Sequence, residues 1–334
     1  MLRIVHELCV DDWSSFVSAQ QNGNIFQTPE MFELYRQTER LEPVFVAVID
    51  DANVIQGVQL SVIQKEHKGF LGTFSARAII WGGPLVKEDN PDVLDRILGA
   101  YNKKIKGKAI YSQYRNLWEW ASGQKKVFEK HGFGYEAHLN ILIDLNVSAN
   151  DLFTQMTSSR RRNIRKAERV PLEFHICSNR EDYSQSYEII RSTYEKVKLP
   201  CPDLPFFASA MDLLEESGRF KIFATRFQGE IIACRFALFY KNRIYDWYAG
   251  ANDDHLYKYP NDYLPWKIME WGMAHGYEIF DFGGAGKPDV PYGVRDHKLK
   301  FGGRLAEFGR FNQVHNIILM RLGEFLLKLY KRIK

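Results

Sequence analysis

The sequence predicts an α/β (α+β) protein with two tandem domains, each a mixed, mostly antiparallel sheet flanked by helices. A length of 334 residues favours two domains, each large enough for its own core. The same order of predicted elements occurs in both halves, and aromatic and β-branched residues dominate the strands, as half-buried sheet positions require. We place the domains at residues 1–145 and 146–314, with a helix over residues 315–334 as a possible addition to the first.

The first half begins with a predicted hairpin over residues 43–64, in which two apolar runs flank the polar segment DDAN. The elements predicted to follow are a third strand near residues 76–83, a helix over residues 91–106, the strand KAIYS, a helix ending in EKHGF and a final strand, LNILIDL, at residues 139–145.

The second half repeats this order. Its hairpin over residues 221–240 turns at Gln228-Gly229, where glycine favours a tight turn. The strand RIYDWYAG, a helix over residues 262–275 and the strand YEIFDF follow, and RLAEFGRF is predicted to close the domain.

The segment FDFGGAGKPDVPYGVRDHKLKFGG, residues 280–303, joins a hydrophobic strand to a glycine hinge and a basic stretch. Gly283, Gly284 and Gly286 free the backbone to take positive φ or to approach a ligand closely. Gly302-Gly303 follows a helix-like run and is predicted to end it. We interpret this segment as a functional site, with a simple glycine turn as the alternative.

The composition, 45% hydrophobic and 26% charged with no apolar run long enough to cross a bilayer, is typical of soluble globular proteins. The N-terminus has no readable secretory signal, so we expect a cytoplasmic protein. The four cysteines are far apart and form no CxxC pair, which predicts neither a zinc site nor a disulfide framework. A net charge of +4 is mild, so a polyanionic partner would need a local basic patch.

The order of hairpin, third strand, helix, strand, helix and strand resembles the GNAT acyltransferase fold. In the second half, WYAG, a helix carrying EWGMAHGY, then FDFGG and HKLKFGG are similar in order and spacing to the Fem family of peptidyltransferases, which have two GNAT-like domains. RRRNIRKAER, residues 160–169, resembles the basic helix that opens the second domain of FemAB-like proteins.

This resemblance implies transfer of an amino acid from aminoacyl-tRNA to an amino group of a peptidoglycan precursor, either lipid-linked or nucleotide-linked. It implies no metal and no permanently bound cofactor, because aminoacyl-tRNA is a co-substrate.

The resemblance also implies roles for single residues. Lys298 matches the lysine associated with acyl transfer, His297 replaces its aromatic neighbour, and Tyr248 matches the tyrosine of the YAG strand. Asp281 matches the acidic residue of the glycine turn. The residues implied in substrate binding are Gly283, Gly284, Phe301 and, by a loose match in spacing, Arg36.

The chemistry of aminolysis assigns tasks to the same residues, since it needs a neutral amine, a proton acceptor and a donor for the tetrahedral oxyanion. Lys298 suits the donor, although it could be a solvated lysine. Asp281 could accept a proton or cap the glycine turn through an Asx-type bond. Tyr248 could bond a substrate or pack. His297 is a reserve base or a structural histidine.

A basic helix is predicted near residue 160. Ser148 with Asp151 suggests an N-terminal cap. The expected apolar face contains Leu152, Phe153, Met156, Ile164 and Ala167, and the expected basic face contains Arg162, Arg165, Lys166 and Arg169. The basic face could bind tRNA phosphates or simply be solvated.

The C-terminal segment is predicted to be an amphipathic helix. Its apolar face contains Ile318, Leu322, Phe325, Leu326, Leu329 and Ile333, and its other face contains Arg321, Lys328, Lys331 and Arg332. It could dock on the protein's own core or contact the inner face of an anionic membrane, as a peripheral attachment.

Two other functions stay open. One is acyl-CoA-dependent N-acylation of an envelope sugar or lipid, but the sequence AGANDDHLYKYPNDY lacks the glycines of a pyrophosphate loop. The other is a non-catalytic RNA-binding or scaffolding role, in which Lys298 and Asp281 would be dispensable.

Overall fold

The computed structural model describes residues 1–66, 72 and 74–323. The chain forms two compact units. Unit 1 comprises residues 1–137 together with the segment from Glu307 onward, and unit 2 comprises residues 138–306.

Unit 1 contains one mixed sheet. Its strands are β1 (Arg3–Val5), β2 (Leu41–Ile49), β3 (Ile55–Gln64), β4 (Arg77–Trp81), β5 (Leu85–Val86), β6 (Tyr111–Arg115), β7 (Gly134–Glu136) and β15 (Arg310–Val314). Its helices are α1 (Val10–Ala19), α2 (Pro29–Gln37), α3 (Pro91–Ile105) and α4 (Ser122–Lys130). The described strands follow the order β1-β2-β3-β4-β6-β15-β7, β5 pairs with β3, and β4 runs parallel to β6.

Unit 2 repeats this plan with its own sheet. Its strands are β8 (Leu139–Asp144), β9 (Leu172–Ile176), β10 (Phe220–Phe227), β11 (Glu230–Tyr240), β12 (Arg243–Ala251), β13 (Ile279–Gly284) and β14 (Arg304–Glu307). Its helices are α5 (Ala149–Gln155), α6 (Ser158–Ala167), α7 (Arg180–Lys196), α8 (Leu204–Leu214), α9 (Pro260–Ala274) and α10 (Gly293–Leu299). The order is β14-β8-β13-β12-β11-β10-β9, and β12 runs parallel to β13.

The strands predicted to close each domain belong, wholly or in part, to the other unit. LNILIDL, predicted to close the first half, forms β8 and pairs antiparallel with β13 of unit 2, with Phe280 opposite Ile143. The segment RLAEFGRF contributes to two strands. Its start forms β14 in unit 2, whereas Phe311 lies in β15, opposite Tyr114 of unit 1. The predicted boundaries at residues 145 and 314 therefore need correction. The apolar pattern specifies a strand but not the sheet that it joins.

The region before α6 follows the predicted apolar pattern but contains two helices. Ser148 caps α5, since its Oγ accepts the Asp151 N–H at 3.1 Å. The chain leaves the helix at Met156, and Thr157 caps α6. Leu152, Met156, Ile164 and Ala167 are buried as predicted. They pack on the face of the sheet that α9 also covers.

The predicted C-terminal helix is described only at its start. A helical segment begins at residue 317, and the Asn316 side chain accepts the Leu319 N–H at 3.0 Å. Ile318 and Leu322 of the predicted apolar face are exposed, as is Arg321. Phe325, Leu326, Leu329, Ile333, Lys328, Lys331 and Arg332 lie outside the described residues. No helix within the described ranges is long and apolar enough to cross a membrane.

Candidate active site

The parallel strands β12 and β13 pair only at their start. The paired residues are 243–245 of β12 and 279–281 of β13, although β12 continues to Ala251. On its other side β12 contains a bulge, because Phe236 of β11 lies opposite Tyr248 and Ala237 opposite Asp246, so that Trp247 is passed over. A bulge bends a strand and redirects its side chains. Pairing between the two strands thus stops at Tyr245 and Asp281, just before WYAG and within FDFGG.

Lys298 of α10 supplies a hydrogen-bond donor at this point. Its Nζ donates to the carbonyl oxygen of Phe282 and to that of Gly284 at 3.3 Å. Both carbonyls lie beyond the last β13 residue that pairs with β12. Burial lowers the pKa of Lys298, while the negative charges of Asp246 and Asp281 oppose this and the positive charge of Arg235 adds to it. Lys298 is half-buried and bound, so it is not a solvated lysine.

Asp281 holds the glycine turn. Its side chain is buried, and its Oδ1 accepts the Gly283 N–H at 2.8 Å. Gly283 has φ of +72°, a conformation that glycine adopts without strain. Burial raises the pKa of Asp281, and the nearby Arg243, 3.6 Å from Oδ2, partly opposes the increase. Asp281 therefore forms the Asx-type hydrogen bond that was the alternative to a catalytic role. The turn that it closes brings the Gly284 carbonyl oxygen to Lys298.

Arg235 and Asp246 form a buried ion pair that the sequence analysis missed. Their side chains are 8% and 6% exposed, and Arg235 NH1 donates to Asp246 Oδ2. Asp246 Oδ1 has no hydrogen-bond partner within the described ranges. The available signal was a charged residue inside each of two apolar strands, ACRFALFY and RIYDWYAG.

A second buried ion pair lies beneath α10. Arg160 of α6, 2% exposed, pairs with Asp262 of α9 and donates to the His297 carbonyl oxygen at 2.8 Å. Its guanidinium lies 4.0 Å from the ring centroid of Phe301. Sequence reasoning placed Arg160 only at the start of a basic segment. Here it connects three helices.

These contacts correct two predictions. Burial and the neighbouring positive charges, Arg160 first, lower the pKa of His297 to about 3, so its imidazole stays neutral and is too weak a base for the proposed task. Phe301 is completely buried and packs on Phe282, with ring centroids 5.3 Å apart. It is a core residue and does not contact substrate.

Tyr248 belongs to an aromatic cluster formed by β12 and the helices α7 and α8. Its ring centroid lies 5.0 Å from that of Phe207 in α8, 5.5 Å from that of Tyr194 in α7 and 5.0 Å from that of Trp247. Tyr194, Trp247 and Tyr248 are half-buried, so their rings also border solvent. Packing is thus one role of Tyr248.

The predicted basic face is solvent-exposed. Arg162, Arg165 and Lys166 of α6 and Arg169 just beyond it are all exposed. The Arg165 guanidinium lies 5.3 Å from the Phe153 ring centroid, and Lys166 Nζ donates to the Tyr259 hydroxyl at 3.4 Å. The helix therefore presents cations to solvent.

Arg36 lies in unit 1, on α2, and its side chain is 62% exposed. Its Nε and NH2 each donate to a carboxylate oxygen of Glu33 at 2.7 Å. A phosphate would have to compete with this bidentate pair.

One group of side chains in the described part could hold a metal ion: His175, Cys177 and Asp182, whose ligand atoms lie within 4.8 Å of one another. Asp182 already accepts hydrogen bonds from Arg226, Asn179 and His175. Burial raises the pKa of Cys177 to about 11, which disfavours the thiolate that binds metals. The group is satisfied by its own hydrogen bonds.

Comparisons with known proteins agree with the observed fold. A family model described as acetyltransferase (GNAT) domain matches residues 156–298. The chain is 21% identical over 266 residues to a UDP-N-acetylmuramoylpentapeptide-lysine N(6)-alanyltransferase of Weissella viridescens, covering 73% of this chain and 75% of the relative. The crystal structure of FemX superposes with a TM-score of 0.74 at 16% identity, over 96% of this chain and 99% of that one. The chain is an acyltransferase with a GNAT domain, and it is similar to the FemAB-like enzymes.

Two further structures show how widely this tandem fold occurs outside the FemAB-like group. L-PGS from Bacillus licheniformis has a TM-score of 0.57 at 16% identity, covering 94% of each chain. A tandem GNAT protein from the clavulanic acid biosynthesis pathway has a TM-score of 0.61 at 9% identity, covering 95% of this chain and 99% of that one. The predicted fold is therefore confirmed.

The start of α9 differs from what a pyrophosphate-binding GNAT domain needs. Pro260 is the first helical residue and has no N–H, while the N–H groups of Asp262 and Tyr263 both donate to the Tyr259 carbonyl oxygen at 3.0 Å. The Asp262 carboxylate also lies in the first turn and binds Arg160. Few backbone donors and a local negative charge disfavour a pyrophosphate here.

Proposed function

We propose that the protein forms an amide bond by moving an amino acid from aminoacyl-tRNA to an amino group of a peptidoglycan precursor. The observation that carries this proposal is the Lys298 ammonium at the end of the β12–β13 pairing, held by the carbonyls of Phe282 and Gly284. The alanyltransferase relative, whose name specifies a lysine N6 acceptor on a muramoyl pentapeptide, supports the choice of acceptor.

The reaction needs no redox step. The neutral acceptor amine attacks the ester carbonyl carbon of the aminoacyl-tRNA, a C–N bond forms and the carbonyl electrons move to oxygen. Collapse breaks the C–O bond to the ribose, the amine loses a proton and the ribose oxygen gains one. Lys298 stabilises the oxyanion as a donor with a positive charge, in a half-buried site where such a donor is strong.

The exposed basic face of α6 supports a tRNA donor. Arg162, Arg165, Lys166 and Arg169 share one side of the helix and lie outside the buried ion pairs. Clustered cations of this kind bind nucleic-acid phosphates without reading bases. Gly283 and Gly284 allow close approach of substrate to the turn, and Arg36 is the proposed contact for a precursor phosphate.

The first turn of α9 presents few free N–H groups and carries Asp262, which supports a tRNA donor over an acyl-CoA donor. The half-buried lysine beside the carbonyls of Phe282 and Gly284 supports a catalytic role over a silent scaffold. No resident cofactor or metal takes part in the proposed reaction.

The test is transfer of radiolabelled amino acids from a charged total-tRNA pool to lipid-linked and nucleotide-linked muramoyl peptides, with an acyl-CoA panel alongside. We expect transfer from tRNA only, abolished in Lys298→Ala and retained in Lys300→Ala, whose side chain is exposed two residues away. Transfer from acyl-CoA alone would replace the proposal with N-acylation. Inactivity with every donor would favour a binding role.

A further inference from the structure

The ion pair of Arg235 and Asp246 leaves one buried oxygen unused. Arg235 NH1 donates to Asp246 Oδ2, whereas Oδ1 has no hydrogen-bond partner within the described ranges. The Asp246 side chain is 6% exposed, so water does not compensate readily. Buried polar atoms in native proteins nearly always have partners, and each exception calls for an explanation, such as a bound ligand.

Asp281 offers an internal comparison. Its Oδ2 also lacks a hydrogen bond, but Arg243 NH1 lies 3.6 Å from that oxygen and compensates its charge. Its Oδ1 holds the Gly283 N–H. Arg235 likewise compensates the charge of Asp246, through Oδ2, while Oδ1 has no hydrogen-bond partner within the described ranges. Asp281 is committed to the glycine turn, whereas Asp246 Oδ1 is available as an acceptor for a ligand.

The surroundings of Asp246 suit a positively charged group. It lies at the bulge of β12, beside Trp247 and two residues before Tyr248. Three half-buried rings lie next to one another here. The Tyr248 ring centroid is 5.0 Å from that of Trp247 and 5.5 Å from that of Tyr194. A carboxylate oxygen and aromatic faces together favour an ammonium group. A phosphate or carboxylate ligand would be repelled by Asp246.

We propose that Asp246 binds the α-amino group of the acyl donor, so that the site selects aminoacyl groups over hydroxyacyl or simple acyl groups. This inference rests on the proposed function. In an aminoacyl ester one carbon atom separates the amino nitrogen from the carbonyl carbon. Tyr245 pairs with Asp281, so the next residues along the two strands are Asp246 and Phe282, whose carbonyl oxygen binds Lys298. An amino group held by Asp246 therefore keeps the carbonyl close to Lys298. Arg235 fixes the carboxylate through Oδ2 and leaves Oδ1 for the substrate.

The test compares alanyl-tRNA with lactyl-tRNA, which has a hydroxyl in place of the amino group, using a muramoyl pentapeptide as acceptor. We expect the unmodified protein to prefer the alanyl donor by about 10- to 100-fold in kcat/KM, the range of one hydrogen bond to a charged group. Asp246→Asn should reduce this preference to about threefold or less, mainly by slowing alanyl transfer. Asp212→Asn, at an exposed position of α8, should keep the full preference.

Asp246→Asn leaves the Arg235 charge buried without a counterion and could impair folding. The double variant Arg235→Met, Asp246→Leu removes both charges and keeps the test valid. Equal loss with both donors, or an unchanged preference, would overturn the inference and leave the proposed function standing. Absence of transfer from any aminoacyl-tRNA by the unmodified protein would overturn both.

Discussion

Lys298 is the residue on which the proposed chemistry depends most. Replacing it with methionine removes the oxyanion donor but keeps a side chain of similar length. We expect kcat to fall about 10²–10³-fold, the usual cost of removing one such donor, while affinity for tRNA changes by less than about twofold. Single-turnover kinetics with charged tRNA measure the effect. Lys300→Met, at an exposed position of the same segment, is the control and should keep kcat.

The lowered pKa of Lys298 also predicts how the rate depends on pH. The rate first rises with pH because the acceptor amine must be neutral to attack. It then falls at a pH below 10.5, the ordinary pKa, because deprotonation removes the ammonium that binds the oxyanion. A pH profile of kcat in the Lys298→Arg variant tests this, since arginine stays charged. An alkaline decrease that persists at the same pH in that variant would contradict the assignment.

Some residues of the site could be proposed from the sequence, and others could not. Lys298 and Asp281 were proposed from the resemblance to the Fem family and from the chemistry of aminolysis, and the glycine turn from its glycines after a hydrophobic strand. The ion pair of Arg235 and Asp246 was not, because two charges on neighbouring strands become a pair only through the β11–β12 register. The neutral state of His297 was also unpredictable, since it results from burial and from Arg160 on a distant segment.

Helix α6 has two faces with different tasks, and matched substitutions separate them. Arg160→Met leaves Asp262 without its cation in a buried site, which costs about 3–5 kcal/mol of unfolding free energy. Arg162→Met, on the exposed face, should change stability by about 0.5 kcal/mol or less. Urea denaturation of both variants measures the difference. Equal stability of the two would mean that the Arg160–Asp262 pair contributes little to the fold.

The exposed face of α6 should make tRNA binding depend on salt. Each phosphate contact adds about 0.7–0.9 to the slope of log K against log salt concentration. Replacing Arg162, Arg165, Lys166 and Arg169 together with glutamine should reduce that slope by up to about 3 and weaken binding at low salt. Filter binding at several salt concentrations gives the slope. A slope that stays the same would place the tRNA on another surface.

At the level of elements, most helices and strands could be predicted because each has its own period and caps. The hairpin turn at Gln228-Gly229 lies between β10 and β11 as predicted, and the predicted helix over residues 91–106 is α3, Pro91–Ile105. The partners of β8 and β15 could not be predicted. β8 is an apolar strand at the start of unit 2 and β15, RFNQV, is a short strand beyond its end, and nothing within either strand distinguishes the two sheets.

Unit 1 depends on chain from beyond its sequence neighbours, because β15 follows the whole of unit 2 in the sequence. In unit 1, β15 lies between β6 and β7, and the buried ring of Phe311 stacks on Phe128 with centroids 4.0 Å apart. Removing β15 would leave two strand edges unpaired and expose a core face. Unit 1 is therefore not expected to fold from residues 1–137 alone.

A chain ending at residue 308 keeps β14 but loses β15, and it tests this dependence directly. We expect unit 1 to lose cooperative folding, seen as rapid hydrogen exchange in α3 and β6, while α9 of unit 2 stays protected because β8 remains in place. A chain ending at residue 316 is the matched control and should protect both units. Phe311→Ala in the full chain should give a milder form of the effect, with about 3–5 kcal/mol lost from unit 1. Protection of α3 in the shorter chain equal to that in the control would show that β15 is dispensable for unit 1.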